Sequence, residues 1–234
     1  MKISLCIPMY NENSIINDTL KAVSDYMEAN FADYEVIFSD DGSTDGCRAA
    51  VEAFPNERIR VVGYEKNRGK GAAIRHGVLS AEGDVIIFTD CDLAYGLDVV
   101  KSAAELFSDD PATDAVIGSR NLTDDGYEGY TFIRKLASKA YIKCLAMAAG
   151  FKLSDSQCGF KGFRRETAHA VFTTCEVDGF AFDFEVLIKA NALGAKIVEM
   201  PVKVVNHRDS KVSVLKDSIK MLRDVREIKM KNKA

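Results

Sequence analysis

Four times within residues 1–92 a short apolar run stops at a turn rich in Asp, Asn or Gly, and the next run comes only after a helix-length interval. The runs cover residues 3–7, 36–39, 59–62 and 85–88. They lead into Pro8-Met9-Tyr10-Asn11-Glu12, Asp40-Asp41-Gly42-Ser43-Thr44-Asp45, Asn67-Arg68-Gly69-Lys70-Gly71 and Asp90-Cys91-Asp92. Between the first two runs Ile15, Ile16, Leu20, Val23 and Met27 recur at helical spacing, with Asn13 or Ser14 near the helix start. A second helix reaches about Phe54, and an Ala-rich one follows Gly71. Parallel strands can be joined only by a crossover, so this repeated strand, turn and helix order predicts a mostly parallel sheet covered by helices.

Beyond this half the pattern loosens. A helix is predicted near residues 97–107 and a short strand at 115–118, followed by a loop over 121–129. Phe132, Leu136, Tyr141, Leu145 and Met147 then mark an amphipathic helix that carries Arg134, Lys135, Lys139 and Lys143. A strand at 159–163, a helix at 183–192 and a strand at 197–205 complete the pattern. Leu215, Ile219, Leu222 and Val225 recur at helical spacing beneath a cationic face. No repeat or low-complexity linker interrupts the chain, so residues 1–210 read as one domain, with 211–234 a basic amphipathic helix attached to it.

Composition narrows the function classes. With 47% hydrophobic and 28% charged residues, the 234-residue chain is globular rather than disordered. The apolar stretch 144–151 lies between Lys143 and Lys152, too short to span a bilayer, and the N-terminus lacks a secretory pattern. The expected location is the cytoplasm. Six cysteines without CxxC spacing and three histidines indicate neither a structural zinc site nor a disulfide framework. Of the net charge of −4, residues 211–234 contribute +5 and the remainder −9. An acidic body argues against nucleic acid as a partner, whereas the basic end suits an anionic surface at the cytoplasmic face of a membrane.

The acidic turns suggest chemistry. Asp90 and Asp92 follow an apolar strand, where two carboxylates can hold Mg²⁺ or Mn²⁺ through oxygen while diphosphate oxygens fill other positions. In isolation the same tripeptide also caps helices or lies in a wet loop. Asp40 and Asp41 can accept hydrogen bonds from a base or ribose, or simply form a turn. Gly69-Lys70-Gly71 lacks a complete phosphate-loop or dinucleotide pattern, although Lys70 can contact phosphate.

Taken together, these motifs resemble the family 2 glycosyltransferases, in particular the dolichyl-phosphate (polyprenyl-phosphate) glucose and mannose synthases. The remaining matches are Gly118-Ser119-Arg120 and Gln157-Cys158-Gly159-Phe160-Lys161. The resemblance covers residues 3–210 and implies a GT-A fold, a Rossmann-like sheet flanked by helices, with a nucleotide-diphosphate sugar as donor and Mg²⁺ or Mn²⁺ as cofactor. It places Pro8, Tyr10, Glu12, Asp40 and Asp41 on the nucleotide side and Asp90 and Asp92 at the metal, with Cys91 replacing the usual central alanine. Arg120 and Arg134 are implied to face an acceptor phosphate through their guanidinium forks. Asp155, Gln157 and Asp183 fall on the sugar or acceptor side, with a capping role open for Asp155 and Glu185. His207-Arg208-Asp209-Ser210-Lys211 matches a late loop, in which Arg208 and Lys211 are the implied phosphate contacts.

The resulting expectation is an inverting transfer of a hexose, glucose from UDP-glucose, to a polyprenyl phosphate whose anionic oxygen needs no strong base. Asp92, Arg120, Arg134, Gln157, Asp183 and Arg208 would serve the reaction. The alternative is a soluble glycan, protein or small alcohol as acceptor, with Asp155 or Asp183 as base, or a non-catalytic sugar-nucleotide binder. Access to a lipid would come through peripheral membrane contact or a membrane-anchoring subunit.

Overall fold

The computed structural model describes residues 1–123 and 154–206. Seven strands form one sheet: β1 (Ile3–Met9), β2 (Tyr34–Asp40), β3 (Ile59–Gly63), β4 (Val85–Phe88), β5 (Ala115–Ser119), β6 (Lys161–Arg164) and β7 (Ile197–Pro201). The helices are α1 (Ile16–Asn30), α2 (Cys47–Glu52), α3 (Lys70–Leu79), α4 (Asp98–Asp109), α5 (Arg165–Phe172) and α6 (Phe182–Ala192). A 3₁₀ turn at Arg120–Leu122 follows β5.

Strand order is β3-β2-β1-β4-β6-β5-β7. The strands pair in parallel except β6, which runs antiparallel to both β4 and β5. The chain moves outward from β1 to β2 and β3, then crosses back to β4 on the other side of β1. That reversal opens a crevice at the carboxyl ends of β1 and β4, where ligands of open α/β sheets bind. β4 pairs with β1 only as far as Cys6, so Pro8, which has no N–H to offer, lies beyond that ladder and pairs in register with Ser39 of β2 alone.

Two apolar layers clamp the sheet. Leu5, Ile7, Phe38 and Ile87 pack with Leu20, Val23 and Met27 of α1 and Val100 and Phe107 of α4 on one face. On the other, Cys6, Ile37, Ile86 and Phe88 pack with Ile74 and Val78 of α3, Val171 and Phe172 of α5 and Phe182 and Val186 of α6. Phe88 is ringed by Phe163, Phe172 and Phe182, with centroids 6.0–6.4 Å away.

α1 starts at Ile16, next to Asn13 and Ser14, and the backbone amides of Ile15 and Ile16 both donate to the Glu12 carbonyl. Other expectations need correcting. The last strand ends at Pro201 rather than continuing to residue 205, because the chain then turns to place the Val205 amide on the Ala94 carbonyl. The strand expected at 159–163 begins at Lys161, and Arg165–Phe172 forms a helix that the periodicity did not reveal. The amphipathic segment 131–150 and the terminal segment 211–234 lie outside the described residues.

Candidate active site

The four acidic or glycine-rich turns meet at the carboxyl edge of the sheet. Asp40 closes β2, is buried, and accepts the Ser43 amide at 3.0 Å while Arg48 approaches to 3.6 Å. Asp41, also buried, is saturated by the next loop. Its oxygens accept from the Tyr64 hydroxyl (2.9 Å), Asn67 Nδ2 (2.8 Å), and the amides of Arg68 (2.8 Å) and Gly69 (3.0 and 3.1 Å). Asp41 therefore fastens the 64–69 loop to β2. Glycine at 42 is dictated twice, by φ +75° and because a Cβ there would lie 2.8 Å from the Asn67 nitrogen.

The turn after β1 is stitched to the turn after β2. The Asn11 amide donates to Ser43 Oγ, the Thr44 amide to Asn11 Oδ1 and the Asn13 amide to Asp45 Oδ2. Tyr10 is 42% exposed beside this seam.

Asp90 and Asp92 emerge immediately beyond β4. Lys70 Nζ lies 2.5 Å from Asp90 Oδ1, and Asp90 Oδ2 lies against Gly159, where a Cβ would approach to 2.3 Å. Glycine at 159 thus lets the carboxylate keep this position. Asp92 Oδ1 accepts the Ala94 amide at 3.1 Å, and Asn206 Nδ2 donates to the carbonyls of Asp92 and Leu93. Burial, together with the neighbouring Asp90 charge, pushes the Asp92 carboxyl above the usual range. Cys91 points into the core at 5% exposure, and burial raises its thiol pKa.

Lys70 begins α3, and Gly71 lets that helix start approach α6: a Cβ at 71 would come within 2.7 Å of Phe182 Cβ. The amides of Gly71 and Ala72 donate to the Asp178 carbonyl, and a Cβ at Gly69 would lie 2.4 Å from the same oxygen, so Gly69 and Gly71 serve close packing. Burial works to lower the Lys70 pKa, but the charges of Asp90, Asp183 and Asp92 hold it above its ordinary value. Asp183, in the first turn of α6, pairs with the fully buried Lys161 of β6, whose ammonium also donates to the Cys158 carbonyl at 2.6 Å. Burial raises the Asp183 pKa against the pull of Lys161 and Lys70.

On the other side of Gly159, Arg120 places Nε 2.6 Å from Asp155 Oδ2 and Nη2 2.9 Å from Oδ1. Asp155 also accepts the Arg120 and Gln157 amides. Gln157 is held by its backbone, while its buried Nε2 has no hydrogen-bond partner among the described residues. Glu185, in the first turn of α6, accepts the amides of Glu176 and Val177 and so braces the loop before that helix. Arg134, His207, Arg208 and Lys211 lie outside the described residues.

The sequence reading assigned no role to Lys161, nor to Tyr64 or Asn67 beneath Asp41. The signal for Lys161 was a lysine inside the strand sequence Gly159-Phe160-Lys161-Gly162-Phe163, since a lysine buried there must find an anion. The residues present fit a divalent cation. Asp90 and Asp92 supply hard carboxylate oxygens, and the region already balances that charge with an ammonium. Among the described residues no cluster of three or more His, Cys, Asp or Glu side chains is arranged to hold a metal, so the pair would need oxygens from a ligand.

The family model for glycosyl transferase family 2 matches residues 4–172. Among curated relatives, the dolichyl-phosphate beta-glucosyltransferase of Drosophila melanogaster is 31% identical, over 96% of this chain and 73% of its own. That of Saccharomyces cerevisiae is 31% identical over 97% and 74%. Among solved structures, glucosyl-3-phosphoglycerate synthase from Mycobacterium tuberculosis, in complex with Mn²⁺, UDP-glucose and glycerol 3-phosphate, superposes with a TM-score of 0.69 at 22% identity, over 97% and 78% of the two chains. Mannosyl-3-phosphoglycerate synthase from Rubrobacter xylanophilus gives 0.71 at 17% identity, over 100% and 76%. These likenesses show the GT-A type of fold, and among the described residues no helix is long and apolar enough to cross a membrane. On the family match and the extent of the curated relatives, the chain belongs to glycosyl transferase family 2.

Proposed function

We propose that this protein transfers glucose from UDP-glucose to a phosphate-bearing acceptor with inversion at the anomeric carbon. The observation that carries the reading is the meeting of Asp90, Asp92 and Lys70 at the reversal of strand order, beside the stitched turns that carry Tyr10 and Asp41. Asp90 and Asp92 would hold Mg²⁺ or Mn²⁺, which supplies charge stabilisation for a departing diphosphate. Lys70 adds a mobile cation on the donor side. Pro8, Tyr10, Glu12 and Asp40 are assigned to the nucleoside side, Asp41 acting through the loop it fastens. Gln157 offers a sugar hydroxyl an amide that has no partner among the described residues.

Two acceptor classes fit. A small soluble phosphorylated alcohol is favoured by the solved neighbours, which hold glycerol 3-phosphate or phosphoglyceric acid on this fold. A polyprenyl phosphate is favoured by the names of the curated relatives. It is favoured also by the state of the two carboxylates available as bases: Asp155 is locked on Arg120 and Asp183 on Lys161. An acceptor that is already an anion makes no demand on either. Arg120, Arg134, Arg208 and Lys211 are assigned to the acceptor or diphosphate side, and a lipid acceptor would bring the chain to a membrane surface or an anchoring subunit.

The deciding experiment incubates the protein with UDP-glucose and Mn²⁺, in parallel with 3-phosphoglycerate, glycerol 3-phosphate and a short polyprenyl phosphate, and follows UDP release and product mass. A glucosylated product in any arm supports the proposal and names the acceptor. UDP binding without product in every arm rejects it.

A further inference from the structure

The ion pair on Asp90 has a consequence for how the site loads. Asp90 has a neighbour at each oxygen: Gly159 lies against Oδ2, and the Lys70 ammonium is 2.5 Å from Oδ1. An approaching divalent cation therefore meets a carboxylate already paired with an ammonium. Lys70 is well suited to step aside. It stands at the first position of α3 on a flexible four-carbon stem, its side chain is 23% exposed, and Asp183 lies within its electrostatic reach. Among the described residues the hydrogen bond of Asp183 uses Oδ1, from Lys161, so its second oxygen can still receive a cation. An incoming diphosphate offers the ammonium a further anionic seat.

We propose that Lys70 is an internal counter-ion that occupies Asp90 until the donor arrives, making divalent-cation binding depend on nucleotide binding. The inference rests on the reading of Asp90 and Asp92 as metal ligands and adds a competitor for the same carboxylate. If nucleotide draws the ammonium off Asp90, then by linkage each ligand raises the other's affinity by one common factor.

The test is Mn²⁺ binding to the full chain, read from the electron paramagnetic resonance signal of free Mn²⁺, with and without UDP, so no turnover is needed. For the wild type, UDP should tighten Mn²⁺ binding strongly. In Lys70→Gln, Mn²⁺ alone should bind about tenfold more tightly than to wild type, and the factor by which UDP improves it should shrink. Lys70→Arg keeps the charge and should keep weak metal-only binding, which separates charge from packing. An unchanged or weaker Mn²⁺ affinity in folded Lys70→Gln, with the UDP effect intact in wild type, overturns the role of the lysine alone. Absence of Mn²⁺ binding to wild type even with UDP overturns the metal reading, and this inference with it.

Discussion

Arg120 and Asp155 form a two-pronged ion pair beneath the site, Nε to Oδ2 at 2.6 Å and Nη2 to Oδ1 at 2.9 Å, with Asp155 wholly buried. The pair ties the end of β5 to the loop that carries Gln157 and Gly159, and Gly159 in turn is seated against Asp90. Arg120 is thus linked to Asp90 through the loop it holds.

Removing one partner from such a pair leaves a charge in a poorly solvated place, at a cost of about 3–5 kcal/mol. Asp155→Asn keeps the shape but takes the carboxylate charge away from the Arg120 guanidinium. Its melting temperature should fall by roughly 10 °C, given about 2–4 °C per kcal/mol for a domain of this size. Arg120→Lys should fare little better, because an ammonium cannot span both oxygens. Thermal unfolding followed by circular dichroism checks this, and a shift below about 2 °C in Asp155→Asn would show that the pair contributes little.

Gly159→Ala tests how tightly the loop holds the carboxylate. The added Cβ would lie 2.3 Å from Asp90 Oδ2, and the Asp90 side chain, 27% exposed, is the part free to move. The fold should survive with a loss of about 1–2 kcal/mol, typical of a local overpacking. Mn²⁺ binding in the presence of UDP should weaken at least tenfold. Titration calorimetry beside a melting curve separates the two effects, and unaltered Mn²⁺ affinity would mean that Asp90 need not hold this position.

Much of this arrangement was legible from residue order. The four strand ends, the pairing of acidic turns and the Asp90-Cys91-Asp92 motif follow from local pattern, because each is set within a few residues of chain. The antiparallel insertion of β6 between β4 and β5 was not, since pairing direction depends on partners 44 to 79 residues away. Nor did spacing pair Arg120 with Asp155 or Lys161 with Asp183. These contacts join residues 35 and 22 positions apart across different elements, and only the closed sheet makes them neighbours. The helix Arg165–Phe172 escaped notice because eight residues give barely two turns of periodicity.

Asp92→Asn separates function from stability. The folded state raises the pKa of this carboxyl through burial and the adjacent Asp90 charge, so its ionised form is disfavoured relative to the unfolded chain. For a carboxyl shifted upward, the penalty is complete above the folded pKa and disappears as pH falls below the unfolded value near 4. The metal-free variant should therefore be more stable than wild type at pH 7, by about 1 kcal/mol, with the gap closing on acidification. Asparagine retains an oxygen for the Ala94 amide. Adding Mn²⁺ and UDP should reverse the order, because only the wild type gains binding free energy. Turnover should drop by about two orders of magnitude or more, as for loss of a charge-stabilising group. Differential scanning calorimetry across pH 4–8 measures the gap. A variant less stable at every pH, without ligand, would contradict this assignment.

The pair of Lys161 and Asp183 invites a double-mutant cycle. Lys161 is fully buried on β6, lies 5.7 Å from the centroid of Phe88, and joins Asp183 of α6 to the Cys158 carbonyl just before Gly159. Lys161→Met should cost about 3–5 kcal/mol, since it strands the Asp183 charge among phenylalanines. Lys161→Met combined with Asp183→Leu removes both charges and should recover most of that loss. Activity should not recover with it. Without Asp183, Lys70 loses one of the three carboxylates around it, and without Lys161 the Cys158 carbonyl loses its anchor beside the loop that seats Asp90. A double variant that regains both stability and turnover would make the pair mere core packing. Regained stability with a persistently raised KM for UDP-glucose would show that the buried charges set the geometry of the donor site.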